Sequence, residues 1–377
     1  MSKNILHIIS ILEIWWAQKV AINLYKDFEE NFKYKNYFLS IYNKNDFKNE
    51  NIKYISLNEK KWSIFSNILK LFYRPYRVNK IVKELKIDLI ISHWEESNFI
   101  SIILWILNKN LKVIPLIHWD IRKNYKWNFI YNFLIKFFYK KKNIFCVSEE
   151  LKYLISDYYK ININKIGVIT NYFSWKFLEN WTTDELINDW KIKLITVWRL
   201  VDLKNHIEMI KIFNLLETRK FHLYIIWEWE NRKNIENFIE EKWLWKSITL
   251  LWEKNNPIDY IKKCDIFLLT SKWEWYPIVL LESIYSWIPI ISYNTTSWPN
   301  EILNNNKYVN QKIEWYKILQ NWILVEYWNI ESFAEAISFL SKNNHIYNEL
   351  KKNIDKNKYF FSKEFILKRW LEILQWF

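Results

Sequence analysis

Short apolar runs rich in Ile, Val, Leu, Phe and Tyr alternate along the chain with longer stretches whose apolar residues recur at helical spacing. That alternation is the pattern of parallel sheets built from βαβ units. In the first half the strand-like runs are Ile5–Ser10, Tyr37–Tyr42, Leu89–His93, Lys112–His118, Ile144–Ser148 and Gly167–Thr170. In the second they are Lys193–Val197, His222–Ile226, Ile248–Leu251, Ile266–Ser271, Pro289–Tyr293 and Trp322–Val325. Between the two sets, Asn171–Asp189 is polar and carries no sustained apolar period, which marks a hinge. The pattern predicts an α/β protein of two parallel-sheet domains, residues 1–185 and 186–357. One amphipathic helix, 358–377, follows the second sheet and is free to cross back to the first domain. A length of 377 residues also favours two domains over one core.

Composition changes this picture at one point. Half the residues are apolar and a quarter charged, as in a soluble globular protein, yet the chain holds 1 Gly and 25 Trp. Ordinary usage of about 7% Gly would supply about 26 glycines. The surplus of one residue matches the deficit of the other. Trp15-Trp16, Trp227-Glu228-Trp229 and Trp273-Glu274-Trp275 each follow an apolar run, where chains need small turn residues. The codon UGA is stop in the standard code, Trp in one variant and Gly in another, and the abundance of Lys, Asn, Ile and Tyr suits an AT-rich gene that favours it. The expectation is that most of these tryptophans are glycines in the native protein. As written, their indoles should be exposed or crowd ligand space instead of packing a core.

The net charge of +14 permits anionic partners. The lysines are scattered and no nucleic-acid-binding module is present, so a nucleic-acid partner is not expected. Cys146 and Cys264 lie in apolar runs, without metal or redox spacing. No apolar stretch approaches the about 20 residues of a membrane span, and the N-terminus lacks a signal-peptide core, so a cytoplasmic protein is expected. Tyr125–Lys142 mixes Phe, Tyr, Ile and Leu with Lys and ends in Lys140-Lys141-Lys142. It reads as a surface helix, with peripheral contact to an anionic membrane as the alternative.

The candidate chemistry lies just after strand-like runs. With Gly for Trp, residues 13–20 become Glu-Ile-Gly-Gly-Ala-Gln-Lys-Val, a turn at Trp15 and Trp16 feeding a helix whose N–H groups can hold an anion. Residues 197–204 become Val-Gly-Arg-Leu-x-x-x-Lys, with Arg199 and Lys204 as cations suited to a diphosphate. Residues 271–282 place Trp273, Glu274, Trp275, Tyr276 and Pro277 in a loop, with Glu282 eight positions beyond Glu274, about 2.2 helical turns. Two carboxylates there can accept hydrogen bonds from sugar and ribose hydroxyls. Ser286-Trp287-x-Pro289 and Ser297-Trp298-Pro299-Asn300-Glu301-Ile302 follow. His118 ends an apolar run in Ile117-His118-Trp119-Asp120, with His93 as its rival at the end of another.

With glycine at those tryptophans, the motif series resembles glycosyltransferase family 4, in order and over nearly the whole chain. The resemblance implies a GT-B fold, two Rossmann-like domains facing a cleft, with donor nucleotide on the second and acceptor on the first. It implies a retaining transferase that moves a hexose or N-acetylhexosamine from a nucleotide diphosphate sugar, with UDP as the expected nucleotide. The acceptor it implies is a glycan or lipid-linked saccharide. Arg199, Lys204, Glu274 and His118 would be catalytic, the first two neutralising the leaving diphosphate. Trp15, Trp16, Trp198, Trp273, Trp275, Tyr276, Pro277, Glu282, Ser297 and Trp298 would line the donor site. Neither metal nor cofactor is expected, and no Asp-x-Asp motif occurs. A GT-B epimerase or phosphorylase is the enzymatic alternative. If the tryptophans are literal, the alternative is a tryptophan-rich, non-catalytic glycan-binding protein.

Overall fold

The structure, a computed structural model, describes residues 3–12, 16–43, 51–60, 64–122, 128–172, 190–197, 205–226, 232–252, 257–272, 278–295, 301–302 and 312–375. The chain divides into two units, one of residues 1–171 with 368–377 and the other of 172–367. The division at 171/172 falls at the start of the polar Asn171–Asp189 segment, most of which lies outside the described residues.

The first unit contains strands β1 (Asn4–Ile9), β2 (Lys35–Tyr42), β3 (Tyr54–Glu59), β4 (Leu89–His93), β5 (Lys112–Ile117), β6 (Ile144–Cys146) and β7 (Ile166–Val168). They form one parallel sheet in the order β3-β2-β1-β4-β5-β6-β7. Helices α1 (Trp16–Phe32), α2 (Ile64–Glu84), α3 (Glu95–Leu107), α4 (Phe129–Tyr139) and α5 (Glu149–Tyr159) link the strands. Because helices cover both faces, the central strands are buried along nearly their whole length; every residue of β4 is buried.

The second unit repeats the plan with β8 (Ile192–Val197), β9 (Phe221–Ile226), β10 (Ile248–Leu251), β11 (Ile266–Leu269), β12 (Ile290–Tyr293), β13 (Tyr316–Ile318) and β14 (Trp322–Val325). Their order is β10-β9-β8-β11-β12-β14-β13, parallel except for the β13·β14 pair. Helices α6 (His206–Asn214), α7 (Arg232–Glu241), α8 (Ile258–Ile261), α9 (Ile278–Tyr285), α10 (Ile330–Lys342) and α11 (Asn344–Asn357) follow in chain order. Its core joins Leu194, Leu223, Ile225, Leu268 and Ile291 of the sheet to Phe213, Phe333 and Ile337 of the helices.

Two strands were not expected from the sequence, β3 and β13. Both are sheet edges, and their partly exposed residues lack the continuous apolar run that betrays a central strand. The last segment also differs from the single helix expected over 358–377. A 3-10 turn covers Lys358–Phe361, Ser362 breaks the path, and α12 runs over Lys363–Gln375. Ser362 Oγ accepts from the Phe365 N–H at 3.1 Å, a side-chain cap that starts a new helix. Within the first unit, Trp370 of α12 meets Phe28 edge-on at 5.5 Å. There too Arg369 donates to the Val168 carbonyl at 2.9 Å and Lys3 to that of Leu374 at 3.2 Å.

The backbone sorts the tryptophans. Among the described residues, left-handed φ occurs at Lys33, Asn58, Lys86, Lys160 and Asn205, and at Trp94, Trp243, Trp287, Trp315 and Trp328. Trp243 occupies the position after α7 that glycine usually takes: its N–H donates to Glu240 O at 2.9 Å and the next N–H to Ile239 O at 3.0 Å. Trp94 is more extreme, with φ 72° and ψ 163°, a region essentially reserved for glycine. Trp190, Trp243, Trp245, Trp252, Trp315 and Trp328 are exposed, whereas Trp322 and Trp370 are buried. Exposure of the indoles is thus common among the described residues and not universal.

Candidate active site

In the second unit the sheet reverses its winding at β8, which lies between β9 and β11. Ligands of open α/β sheets bind beyond the carboxyl ends of the strands at such a reversal. Three sequence motifs start at these ends. The 198–204 segment follows β8, 273–277 follows β11, and 296–300 follows β12, three neighbouring parallel strands whose carboxyl ends share one sheet edge.

Trp198, Arg199, Lys204, Trp273, Glu274, Trp275, Tyr276, Pro277, Ser297 and Trp298 themselves lie outside the described residues, as does Trp15. Trp16 is the first residue of α1, at the amino end of a 17-residue helix. Glu282 lies in the second turn of α9 and is half-buried. Its carbonyl accepts from Ser286 Oγ at 2.8 Å. Asn205, directly after the 198–204 segment, takes a left-handed conformation before α6, and its Nδ2 donates to Glu208 at 2.6 Å.

In the first unit the equivalent edge is built from histidine. His7 lies in β1, His93 is the last residue of β4, and His118 comes one residue after β5; these three strands are neighbours. The rings form a ladder, His7 to His93 at 5.9 Å and His93 to His118 at 5.2 Å between centroids, both stacked. His93 Nδ1 and His118 Nε2 share a hydrogen bond of 3.0 Å. The two histidines that the sequence offered as rivals are therefore partners. Their bond needs one N–H and one lone pair, so the two rings cannot both be protonated while it stands. Burial acts in the same direction and lowers the pKa of His7 and His118 to about 4 and that of His93 well below its ordinary value.

Two acids begin α3 beside this ladder, and their surroundings differ. Glu96 accepts from Tyr42 at 3.1 Å and lies 3.8 Å from Arg74, whose guanidinium is buried and also donates to Glu59 at 2.9 Å. Glu95 is 1% exposed and forms no ion pair among the described residues. Instead both of its oxygens accept from the Trp119 indole N–H, at 3.0 and 3.1 Å. Burial raises its pKa to about 7, against the lowering effect of its own backbone N–H and the indole. Sequence reasoning missed Glu95 because acids in a first helical turn are ordinary partners of the helix dipole. Asp120, next to Trp119, is taken by Arg122 at 2.8 Å. No cluster of metal-binding side chains occurs among the described residues.

Comparison with known proteins gives this arrangement a family. Residues 38–173 match the model of Glycosyltransferase Family 4, and residues 179–359 that of Glycosyl transferases group 1. An uncharacterized glycosyltransferase of Methanocaldococcus jannaschii is 27% identical over 283 residues, 70% of this chain and 69% of its own. The N-acetylgalactosamine-N,N'-diacetylbacillosaminyl-diphospho-undecaprenol 4-alpha-N-acetylgalactosaminyltransferase of Campylobacter jejuni is 23% identical over 251 residues, 64% of this chain and 67% of its own. Among solved structures, Anabaena Alr3699/HepE in complex with UDP matches with a TM-score of 0.81 at 12% identity, over 100% of both chains. A glycosyltransferase of Rickettsia africae matches at 0.77 with 18% identity, over 99% of this chain and 97% of its own. With two parallel-sheet α/β units and glycosyltransferase family models matched in both halves, the chain is a glycosyltransferase of GT-B fold, similar in its first half to family 4.

Proposed function

We propose that the protein is a retaining, metal-independent glycosyltransferase that moves a hexose or N-acetylhexosamine from a UDP-sugar to a glycan or lipid-linked saccharide. The observation that carries the donor assignment is the departure of three motifs from neighbouring strands β8, β11 and β12 at one carboxyl edge. Arg199 and Lys204 neutralise the diphosphate as it leaves, the electrostatic role that preformed charges perform best. Glu274 holds the transferred sugar and Glu282 the ribose. The Anabaena protein was solved in complex with UDP, and the Campylobacter relative acts on a diphospho-undecaprenol-linked sugar; both support the reading by analogy. The working enzyme carries glycine at Trp15, Trp16, Trp198, Trp273, Trp275 and Trp298, where side chains would occupy ligand volume. The left-handed tryptophans elsewhere in the chain support that substitution.

The protein also meets an anionic membrane surface through α4. Phe129, Ile130, Phe133 and Phe137 project from this helix into solvent, Phe129 at 85% exposure, with Lys136 in its last turn and Lys140–Lys142 just beyond. Aromatic rings beside lysines suit the headgroup layer. No described helix is long and apolar enough to cross a membrane.

The test is transfer from a panel of UDP-sugars by protein bearing glycine at the six positions and at 94 and 119, with the product anomer read by NMR. Transfer with retention is expected. Inversion, or no UDP binding by the folded protein, removes the reading.

A further inference from the structure

Trp94 and Trp119 face one another across the carboxyl ends of β4 and β5, their ring centroids 6.4 Å apart. Position 94 has a backbone that only glycine adopts without strain. Trp119 stands on the buried carboxylate of Glu95, which its indole N–H bridges. Buried polar groups keep hydrogen-bond partners, because an unmet one is destabilising, more so if charged. Glu95 is thus a buried acceptor satisfied by one indole N–H beside its own backbone N–H. His93 Nε2, immediately before position 94, is buried and lacks a hydrogen-bond partner.

We infer that positions 94 and 119 are glycines in the working protein, and that the volume filled by their two indoles is a sugar-hydroxyl site whose acceptor is Glu95. Removing the Trp119 indole leaves the carboxylate with its own backbone N–H and with acceptor capacity open on its oxygens. A pair of adjacent hydroxyls on a pyranose supplies two O–H donors to them, and His93 Nε2 takes a further polar atom of the ligand. Glu96 does not compete for this role, since Tyr42 and Arg74 already hold it. The site lies in the first unit and therefore serves the acceptor sugar. That last step rests on the proposed transferase; the binding site itself does not.

Mass spectrometry of the native protein tests the residue identities: peptides covering positions 94 and 119 are expected at the glycine mass, and tryptophan at either position overturns the inference. Binding is tested by ligand-observed saturation-transfer NMR, using methyl glycosides of glucose, galactose, N-acetylglucosamine and N-acetylgalactosamine. The W94G/W119G protein is expected to fold and to bind at least one of them. W94G alone, which keeps the Trp119 indole on Glu95, is expected not to bind. Adding Glu95→Gln to the double variant should weaken binding roughly 10- to 100-fold, as loss of a charge-assisted hydrogen bond does. An unfolded double variant, a folded one that binds none of the glycosides, or unchanged binding after Glu95→Gln would each overturn it. Calorimetry with UDP on W94G/W119G protein that also bears glycine at positions 15, 16, 198, 273, 275 and 298 separates the two proposals, because absent UDP binding with glycoside binding intact strikes the donor assignment alone.

Discussion

The two units share a winding and differ in what they bury. Each sheet reverses at its first strand, β1 or β8, and runs outward from it on both sides. Beneath the carboxyl edge of the first unit lie three stacked histidines, an acid without a cation and a buried arginine. The second unit packs one face of β8, β9 and β11 with hydrocarbon and buries a single strand histidine among the described residues, His222, bonded to Thr249 at 2.8 Å, while its candidate charged motifs follow the strands at residues outside those described. One architecture therefore carries two chemistries. The second unit's proposed donor charges come just after its strands in the sequence. The first builds polarity into the strand ends themselves, where burial sets protonation.

The largest expected effect tests the loop-borne charge. In protein with the six donor-site glycines and glycine at 94 and 119, Arg199→Ala or Lys204→Ala should lower turnover by roughly 100- to 1,000-fold, the scale for losing one transition-state donor. Circular dichroism should remain unchanged. Near-full turnover in both variants would show that the second unit's edge does not carry the donor.

The next effect tests the buried charge of the first unit. The pKa of Glu95 is raised from 4.5 to about 7, so its contribution to stability is complete below pH 4.5 and is lost as pH rises to 7. Glu95→Gln removes that loss. Denaturant melts at pH 8 should show the variant more stable by on the order of 3 kcal/mol, with the gain vanishing near pH 4. The histidine ladder works in the opposite sense. His7 and His118, held near 4, contribute stability that is present above 6.5 and lost as pH falls to 4. The protein should therefore lose stability on acidification across that window, and His7→Asn should flatten the slope. A parallel slope in the variant would remove the ladder as its source.

A smaller effect compares strain in the two units directly. Trp94→Gly relieves a glycine-only conformation and should stabilise by about 1–3 kcal/mol; Trp243→Gly, at a left-handed helix end, should gain about 1 kcal/mol. Equal gains, or a loss at either position, would contradict the ranking. The smallest effect concerns the surface of the first unit. Sedimentation with anionic vesicles should weaken when Lys140, Lys141 and Lys142 are replaced, and at 1 M salt, where the Debye length is about 3 Å. Binding indifferent to both would exclude α4 as the membrane face.

Central strands were legible because burial on both faces forces continuous apolar runs, as in Leu89–His93. β3 and β13 were not, because an edge strand can spend half its residues on solvent. His93 and His118 each stood out at a strand end, but 25 positions separate them and only the β4·β5 pairing makes them one bonded pair. Glu95 was invisible for a different reason: its neighbour Glu96 is the same residue type at the same helix start, and only the tertiary placement of Arg74 and Trp119 tells them apart. The glycine deficit was plain in the composition. Which tryptophans sit in a backbone that favours glycine needed φ, a quantity a letter string lacks.

The course of α12 has a consequence for genetic dissection. The first unit opens the chain and also closes it, with Arg369 on the Val168 carbonyl and Trp370 on Phe28. Residues 172–367 are thus a cassette spliced into another body, and the two points of splice lie within side-chain reach of one another. A fragment ending at 171 would expose the seat of Trp370 and lose its last helix. Excising the cassette and joining 171 to 368 through a short flexible tether removes the Ser362 cap and the first turn of that helix but keeps residues 368–375 with Arg369 and Trp370, and tests whether the histidine edge folds apart from the cassette.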